Sequence, residues 1–430
     1  MRSLLWLILA LLPALAHAAE APALSLAVTT DRPEALYAVG EKARFQVTLK
    51  RGDQPVAGAE VAYTLSKDGV PPVTEGKLSL PDGTGSLEGT LDEPGFLRLQ
   101  VTYAVEGQPT VSAMAGAGFD PLRIRPSLPV PNDFDAFWQA QKRRLARVPM
   151  TPTLAPVASP LAGIECFDVR VPCVPPRPVS GYLARPAGAA PRSLPAILCV
   201  HGAGVYTSNL HTAAAQAQTY HALAMDMNAH GITNGQPQAF YQALDAGDLK
   251  GYPFAGREDR QQCYFLGMFL RLVRAIEFLT SQPEWDGKVL IVQGSSQGGG
   301  QAIAAAGLDP RVTLISAGVP AICDHTGGAI GRISGWPRLV PETNGRPDPK
   351  VLQVSRYFDC ANFAARTRAE ALFSVGFIDV VCPPTSVYAA YNALKGKRSI
   401  VNEPLMGHAV SAELARATDE AIRAHIAATR

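Results

Sequence analysis

From Leu24 to about Val105, apolar residues alternate with polar ones. Leu24, Leu26 and Val28 do so first, then Phe45, Val47 and Leu49. Val61, Tyr63 and Leu65 follow, then Leu97, Leu99, Val101 and Tyr103. A period of two turns one face of each segment inward and the other to solvent, which predicts β-strands. Gly52-Asp53, Asp68-Gly69 and Asp82-Gly83 supply turns between them. Short alternating strands at this spacing predict an antiparallel sandwich of immunoglobulin type over residues 19–110. Few aromatics stand out on it, so a spacer or docking role fits it better than sugar binding.

Residues 111–131 are rich in Gly, Ala and Pro and end in PLRIRPSLPVP. They read as a linker crossing the surface of the next domain. NDFDAFWQAQKRRLARV then predicts a helix from 132. Asn132 or Asp133 caps it, and Phe134, Phe137, Trp138 and Leu145 share one face. Beyond about residue 160, apolar runs alternate with helical stretches. Predicted strands are Ala196–Val200, Ala222–Met227, Val289–Gln293, Val312–Ala317, Ala371–Val375 and Ser399–Val401. Helices are expected near Thr212–Tyr220, Gln262–Thr280, Gln297–Gly307, Pro384–Leu394 and Ala412–Ala427. Near-continuous apolar strands between helices predict an α/β domain over 132–430, its mostly parallel sheet covered on both faces.

Composition narrows the partners. The 430 residues suit two or three domains, and 47% hydrophobic with 18% charged residues argues against disorder. A net charge of +2 without a Lys/Arg-rich run excludes nucleic acid and acidic membrane surfaces as expected partners. The first residues, MRSLLWLILALLPALAHAAEAP, read as a secretory signal peptide cut after Ala18, so a periplasmic or secreted protein is expected. Seven cysteines all follow residue 165. Their odd count leaves at least one unpaired, and one or two disulfides at most are expected. No Cys/His spacing resembles a zinc site.

One stretch carries chemistry. Gly294-Ser295-Ser296-Gln297-Gly298 fits G-x-S-x-G between a predicted strand and a predicted helix. That context bends the chain sharply and presents the central Ser296 hydroxyl above the sheet; Ser295 is one residue early and points elsewhere. A serine nucleophile needs a base, and the base an orienting carboxylate. In this fold both follow the serine. His408, in PLMGHAVS before the last helix, is placed as the base. Asp379, at the end of a strand in LFSVGFIDVVCPP, is placed as the acid, with Asp359 as fallback. His425 looks structural, and His325 is placed to line the site. Gln297 N–H and Ala203 N–H, the latter in PAILCVHGAGVYTSN, are the expected oxyanion donors, with His201 ordering that loop. Tyr206, Phe240, Tyr241 and Trp336 are candidates for stacking on a sugar ring, Tyr206 and Trp336 foremost.

GSSQGGGQAIAAAGLDPRV, VGFIDVVCPPTSVYAAYNAL and the Gly-His pair before the last helix resemble the acetyl xylan esterase and cephalosporin C deacetylase family of α/β-hydrolases, over about residues 122–430. The resemblance implies Ser296 as nucleophile, Asp379 as acid and His408 as base. It also implies removal of acetyl groups from oligosaccharides or polysaccharides without metal or cofactor. The family's ring-shaped hexamer implies a homo-oligomer, against which the added sandwich stands. Two positions depart from the family. Ala203 replaces a Tyr common after His-Gly, and Asp226-Met227-Asn228-Ala229-His230-Gly231 stands where many carry D-x-R-G-Q. The residues also leave open a serine peptidase, a small-ester or lactone hydrolase, and a non-catalytic sugar-binding protein.

Overall fold

The structure, a computed structural model, describes residues 22–429; the predicted signal segment 1–18 lies outside them. The N-terminal unit is a sandwich of two sheets. Its strands are β1 (Leu24–Thr30), β2 (Leu36–Tyr37), β3 (Ala43–Arg51), β4 (Gln54–Pro55), β5 (Ala59–Lys67), β6 (Val70–Leu80), β7 (Thr84–Gly89), β8 (Gly95–Tyr103) and β9 (Val111–Phe119). One sheet joins β1, β3, β4 and β7, and the other runs β2-β9-β8-β5-β6. Alternation explains the packing: Phe45, Val47, Leu49, Val61, Leu99 and Val101 are all fully buried between the sheets.

The expected linker over 111–131 is corrected here. Residues Val111–Phe119 form β9, which pairs antiparallel with β8 and parallel with β2. The small residues that suggested a linker serve close approach instead. A Cβ on Gly116 would lie 2.5 Å from the Phe377 carbonyl oxygen of the second unit. Gly116→Val should therefore lower stability by about 1–3 kcal/mol, because backbone atoms cannot yield as a side chain can. Urea unfolding of the full chain measures this.

The second unit starts with α1 (Phe134–Ala146). Phe134, Phe137, Trp138 and Leu145 are buried on its inner face. Asp133 stands at its N-cap, but no side-chain cap bond forms. The carboxylate is taken by Tyr357 O–H and Arg260 instead.

A nine-stranded sheet follows, built from β10 (Thr153–Val157), β11 (Ile164–Val171), β12 (Val179–Pro186), β13 (Leu194–Val200), β14 (Leu223–Met227), β15 (Trp285–Ser295), β16 (Leu314–Gly318), β17 (Glu370–Gly376) and β18 (Arg398–Glu403). In space, β10, β11 and β12 form an antiparallel edge on β14. The order continues β14-β13-β15-β16-β17-β18, all parallel.

Strand β13 is buried throughout. Leu194, Ala196, Leu198 and Val200 face one core, while Ile197 and Cys199 face the other. Helices α2 (Leu210–Tyr220) and α3 (Ala412–Thr429) cover the second face. The first is covered by α1, by α4 (Tyr264–Ser281) and α5 (Gln297–Leu308), and by α6 (Pro384–Ala393). All seven cysteines are buried free thiols. No helix among the described residues is long and apolar enough to cross a membrane.

Candidate active site

Strand β15 ends at Ser295 and α5 begins at Gln297, so Ser296 alone makes the turn. Its backbone sits at φ 58°, ψ −123°, a strained state for a residue with a side chain. The turn holds because Ser296 N–H donates to Gly318 O at 2.8 Å and its own carbonyl accepts from Gly300 and Ala321. Nothing larger than glycine fits beside it. A Cβ on Gly294 or on Gly298 would lie 2.4 Å from Val200 O. Ser295 faces away, into a separate cleft of about 380 Å³ shared with Asp226 and Gln293.

His408 Nε2 lies 2.8 Å from Ser296 Oγ, and His408 Nδ1 lies 2.7 Å from Asp379 Oδ2. Asp379 is fully buried in the loop after β17. Its Oδ1 accepts the Val381 and Cys382 N–H groups at 2.7 and 2.9 Å. Both oxygens are thus occupied, and the carboxylate cannot rotate. With Asp379 ionised, Nδ1–H must donate to it. That tautomer leaves Nε2 free to accept the serine proton.

The loop after β13 packs against Ser296: a Cβ on Gly202 would lie 3.9 Å from Ser296 Cβ. Gly202 O accepts from His201 Nδ1 (2.8 Å), Tyr206 O–H (3.2 Å) and Gln297 Nε2 (3.3 Å). Pinning this carbonyl fixes the peptide plane, so Ala203 N–H must point the opposite way. Gln297 N–H belongs to the first turn of α5 and has no helical acceptor.

The histidine tautomers follow from their partners. His201 Nε2 accepts Ala229 N–H at 2.9 Å, so its Nδ1 carries the proton. His230 Nε2 donates to Gly204 O at 2.9 Å, and its Nδ1 accepts from Tyr264 O–H. Two neutral histidines thus grip the carbonyls on either side of Ala203. Tyr252 O–H donates to Gln297 Oε1 at 2.6 Å and receives Gly204 N–H at 3.4 Å.

Burial pushes His201 down to about 4 and His230 down to about 3. In the unfolded chain each gains its proton near 6.5. Their contribution to stability is therefore full above pH 6.5 and lost as pH falls toward those lower values. At pH 5 one such histidine costs about 2 kcal/mol relative to pH 7. The stability difference between wild type and His230→Gln should accordingly shrink by about 2 kcal/mol between pH 7 and pH 5. Paired urea titrations at the two pH values read it directly.

The other expected residues are placed as follows. Asp359 caps a short helix, Cys360–Ala364, and accepts the Asp324 and His325 N–H groups, so it is not the histidine's partner. His325 is fully buried, and its ring makes no bond to Ser296 or His408; burial holds it near 3. His425 ties α3 to Thr313 and Glu370. Tyr206 is 39% exposed on the rim of the loop after β13. Trp336 is half-buried behind Tyr252, ring centroids 6.4 Å apart. Tyr241 is buried and bonded to Thr233 O, which removes it from the stacking candidates; its neighbour Phe240 is exposed on the same helix.

Sequence reasoning missed Asn228, His230 and Tyr252. Asn228 Nδ2 donates to Tyr206 O at 2.8 Å and its Oδ1 accepts His230 N–H. For Asn228 and His230 the signal was the departure from the family at Asn228-Ala229-His230, beside the departure at Ala203; Tyr252 carried none.

A serine on a strained strand-to-helix turn, above a mostly parallel sheet, with carboxylate and histidine following in that chain order, is the architecture of an α/β-hydrolase. This chain has it. The acetyl xylan esterase (AXE1) family model matches residues 122–419, and the chain belongs to that family; it is a carboxylic ester hydrolase. It is 31% identical over 386 residues to the acetyl esterase Axe7A of Xylanibacter ruminicola, covering 88% of this chain and 85% of that one. Among solved structures it is similar to the acetyl xylan esterase from Paenibacillus sp. R4, with a TM-score of 0.61 and 28% identity over 71% of this chain and 98% of that one. Acetyl xylan esterase 1 from Thermoanaerobacterium sp. JW/SL YS485 shares the fold, with a TM-score of 0.57 and 23% identity over 71% and 97%.

Proposed function

We propose that this chain removes acetyl groups from O-acetylated xylan or xylo-oligosaccharides by acyl transfer through Ser296, His408 and Asp379. The observation that carries the reading is the unbroken chain of hydrogen bonds from Asp379 through His408 to Ser296 Oγ. His408 Nε2 takes the Ser296 proton as Oγ attacks the acetyl carbonyl. Gln297 and Ala203 N–H groups hold the oxyanion. His408 returns the proton to the departing sugar oxygen, leaving acetyl on Ser296. Water then gives its proton to the same nitrogen and attacks the acyl group; the bond to Ser296 Oγ breaks, His408 returns the proton to Oγ, and acetate leaves. Asp379 keeps the imidazole in register and stabilises its charged form throughout.

The test is a series of 4-nitrophenyl esters of increasing chain length, with acetylated xylo-oligosaccharide and a peptide amide alongside. A deacetylase favours acetate over octanoate by at least about tenfold in kcat/KM, since each misfit methylene carries a modest penalty. It also releases acetate from the oligosaccharide. Cleavage of the amide with no ester preference would turn the reading to a peptidase. Export to the periplasm or beyond is part of the proposal and rests on residues 1–18; N-terminal sequencing of the mature protein should begin at Ala19.

A further inference from the structure

We propose that the N-terminal sandwich is a positioning element of the active site, with Asp68 and Phe96 holding the loop that carries Asp379. The inference rests on the reading of Asp379 as the catalytic acid.

Helix α6 starts directly after that loop. Its N-cap is Pro383, which makes no side-chain cap bond, and its first residue is Pro384, which has no N–H. Thr385 therefore offers the first N–H of the helix. Its acceptor is Asp68 Oδ2, at 3.2 Å and 317 residues away in the chain. Asp68 lies in the turn between β5 and β6, at φ 56°, and is only 2% exposed. A carboxylate at a helix N-terminus meets both an orphan donor and the positive end of the dipole. In this helix the sandwich provides that cap.

The other end of the loop is held as well. Phe377, two residues before Asp379, is fully buried, and Phe96 meets its ring edge-on at 4.9 Å. Phe96 also lies 5.5 Å from Tyr388 of α6, and Tyr388 O–H donates to Asn402 of β18 at 2.7 Å. The sandwich thus clamps the acid loop at Phe377 and at Thr385. Asp379 sits between the clamps, 2.7 Å from His408. Catalytic geometry is steep: a displacement of about 1 Å can cost about 100-fold in rate. Inside the hydrolase the loop is also bonded from Phe377 N–H to Glu403 O (3.0 Å) and from Trp336 N–H to Val381 O (2.9 Å), and the sandwich adds its two holds to these.

The test compares Asp68→Ala and Asp68→Asn in the full chain on 4-nitrophenyl acetate. The alanine variant should lose about 10- to 100-fold in kcat with KM within about twofold of wild type. The asparagine variant keeps an oxygen acceptor for Thr385 N–H and should recover kcat to within about threefold. Hydrogen exchange should quicken in Asp68→Ala over residues 377–386 and stay unchanged over 290–300. Should Asp68→Ala fold poorly, Phe96→Leu leaves the cap in place and should lower kcat about 3- to 10-fold at unchanged KM.

Wild-type kcat in Asp68→Ala, or equal losses in the alanine and asparagine variants, overturns the proposal. Full activity in Ser296→Ala would instead remove the catalytic reading beneath it, while the exchange data still report whether Asp68 holds the loop.

Discussion

Ser296→Ala should lower kcat/KM on 4-nitrophenyl acetate by about 10⁴- to 10⁶-fold while leaving stability within about 1 kcal/mol of wild type. The two halves of this expectation have separate causes. Chemically, the proposed mechanism makes Ser296 Oγ the atom that forms the covalent intermediate, and no neighbour can replace it. Ser295 faces the cleft on the other side of the turn. What remains after the substitution is binding plus the N–H groups of Gln297 and Ala203, which alone give modest acceleration. Structurally, the Ser296 side chain has one partner, His408 Nε2. The turn itself is held by backbone bonds to Gly318, Gly300 and Ala321, which alanine keeps. Equal low rates in both proteins would remove Ser296 from its proposed role.

Asp379→Asn should be nearly as damaging, with kcat down about 10⁴-fold. The asparagine oxygen would stay on the Val381 and Cys382 N–H groups, because both donors are fixed in the backbone. Its NH₂ would then face His408 Nδ1. Two donors cannot meet, so the imidazole must move its proton to Nε2. The nitrogen facing Ser296 would become a donor and could no longer accept the hydroxyl proton. Nitrogen NMR of the imidazole should show the exchanged tautomer. A variant with the original tautomer and near-normal kcat would show that Asp379 has no orienting part in the reaction.

The legible part of this molecule is the part built from repetition. Buried runs such as Leu194–Val200 announce parallel strands, and Phe45, Val47 and Leu49 announce a half-buried one. The Gly-Ser-Ser-Gln-Gly turn was readable because it falls between a strand and a helix. Chain order then singled out Asp379 and His408, which the fold brings to Ser296.

What stayed hidden lacks periodicity. Strand β9 resembles a linker in sequence because glycine and alanine mark flexible chain and close contact alike. Strand β10 is exposed along most of its length, so no core imposed a pattern on it. The grip of His201 and His230 on the loop after β13 joins segments 26 to 28 residues apart through single hydrogen bonds. No local spacing encodes those.

The cap from Asp68 to Thr385 also sets an order of assembly. A chain made from its N-terminus carries Asp68 317 residues ahead of its partner Thr385, so the sandwich is complete well before that partner exists. Until then Phe96 has no Phe377 or Tyr388 to cover it, and a greasy ring stands open on a finished domain. The sandwich thus waits as an incomplete surface, and the emerging hydrolase closes it. On the proposed mechanism, catalytic competence then arrives late in synthesis, because the segments bearing Asp379 and His408 are the last to be made.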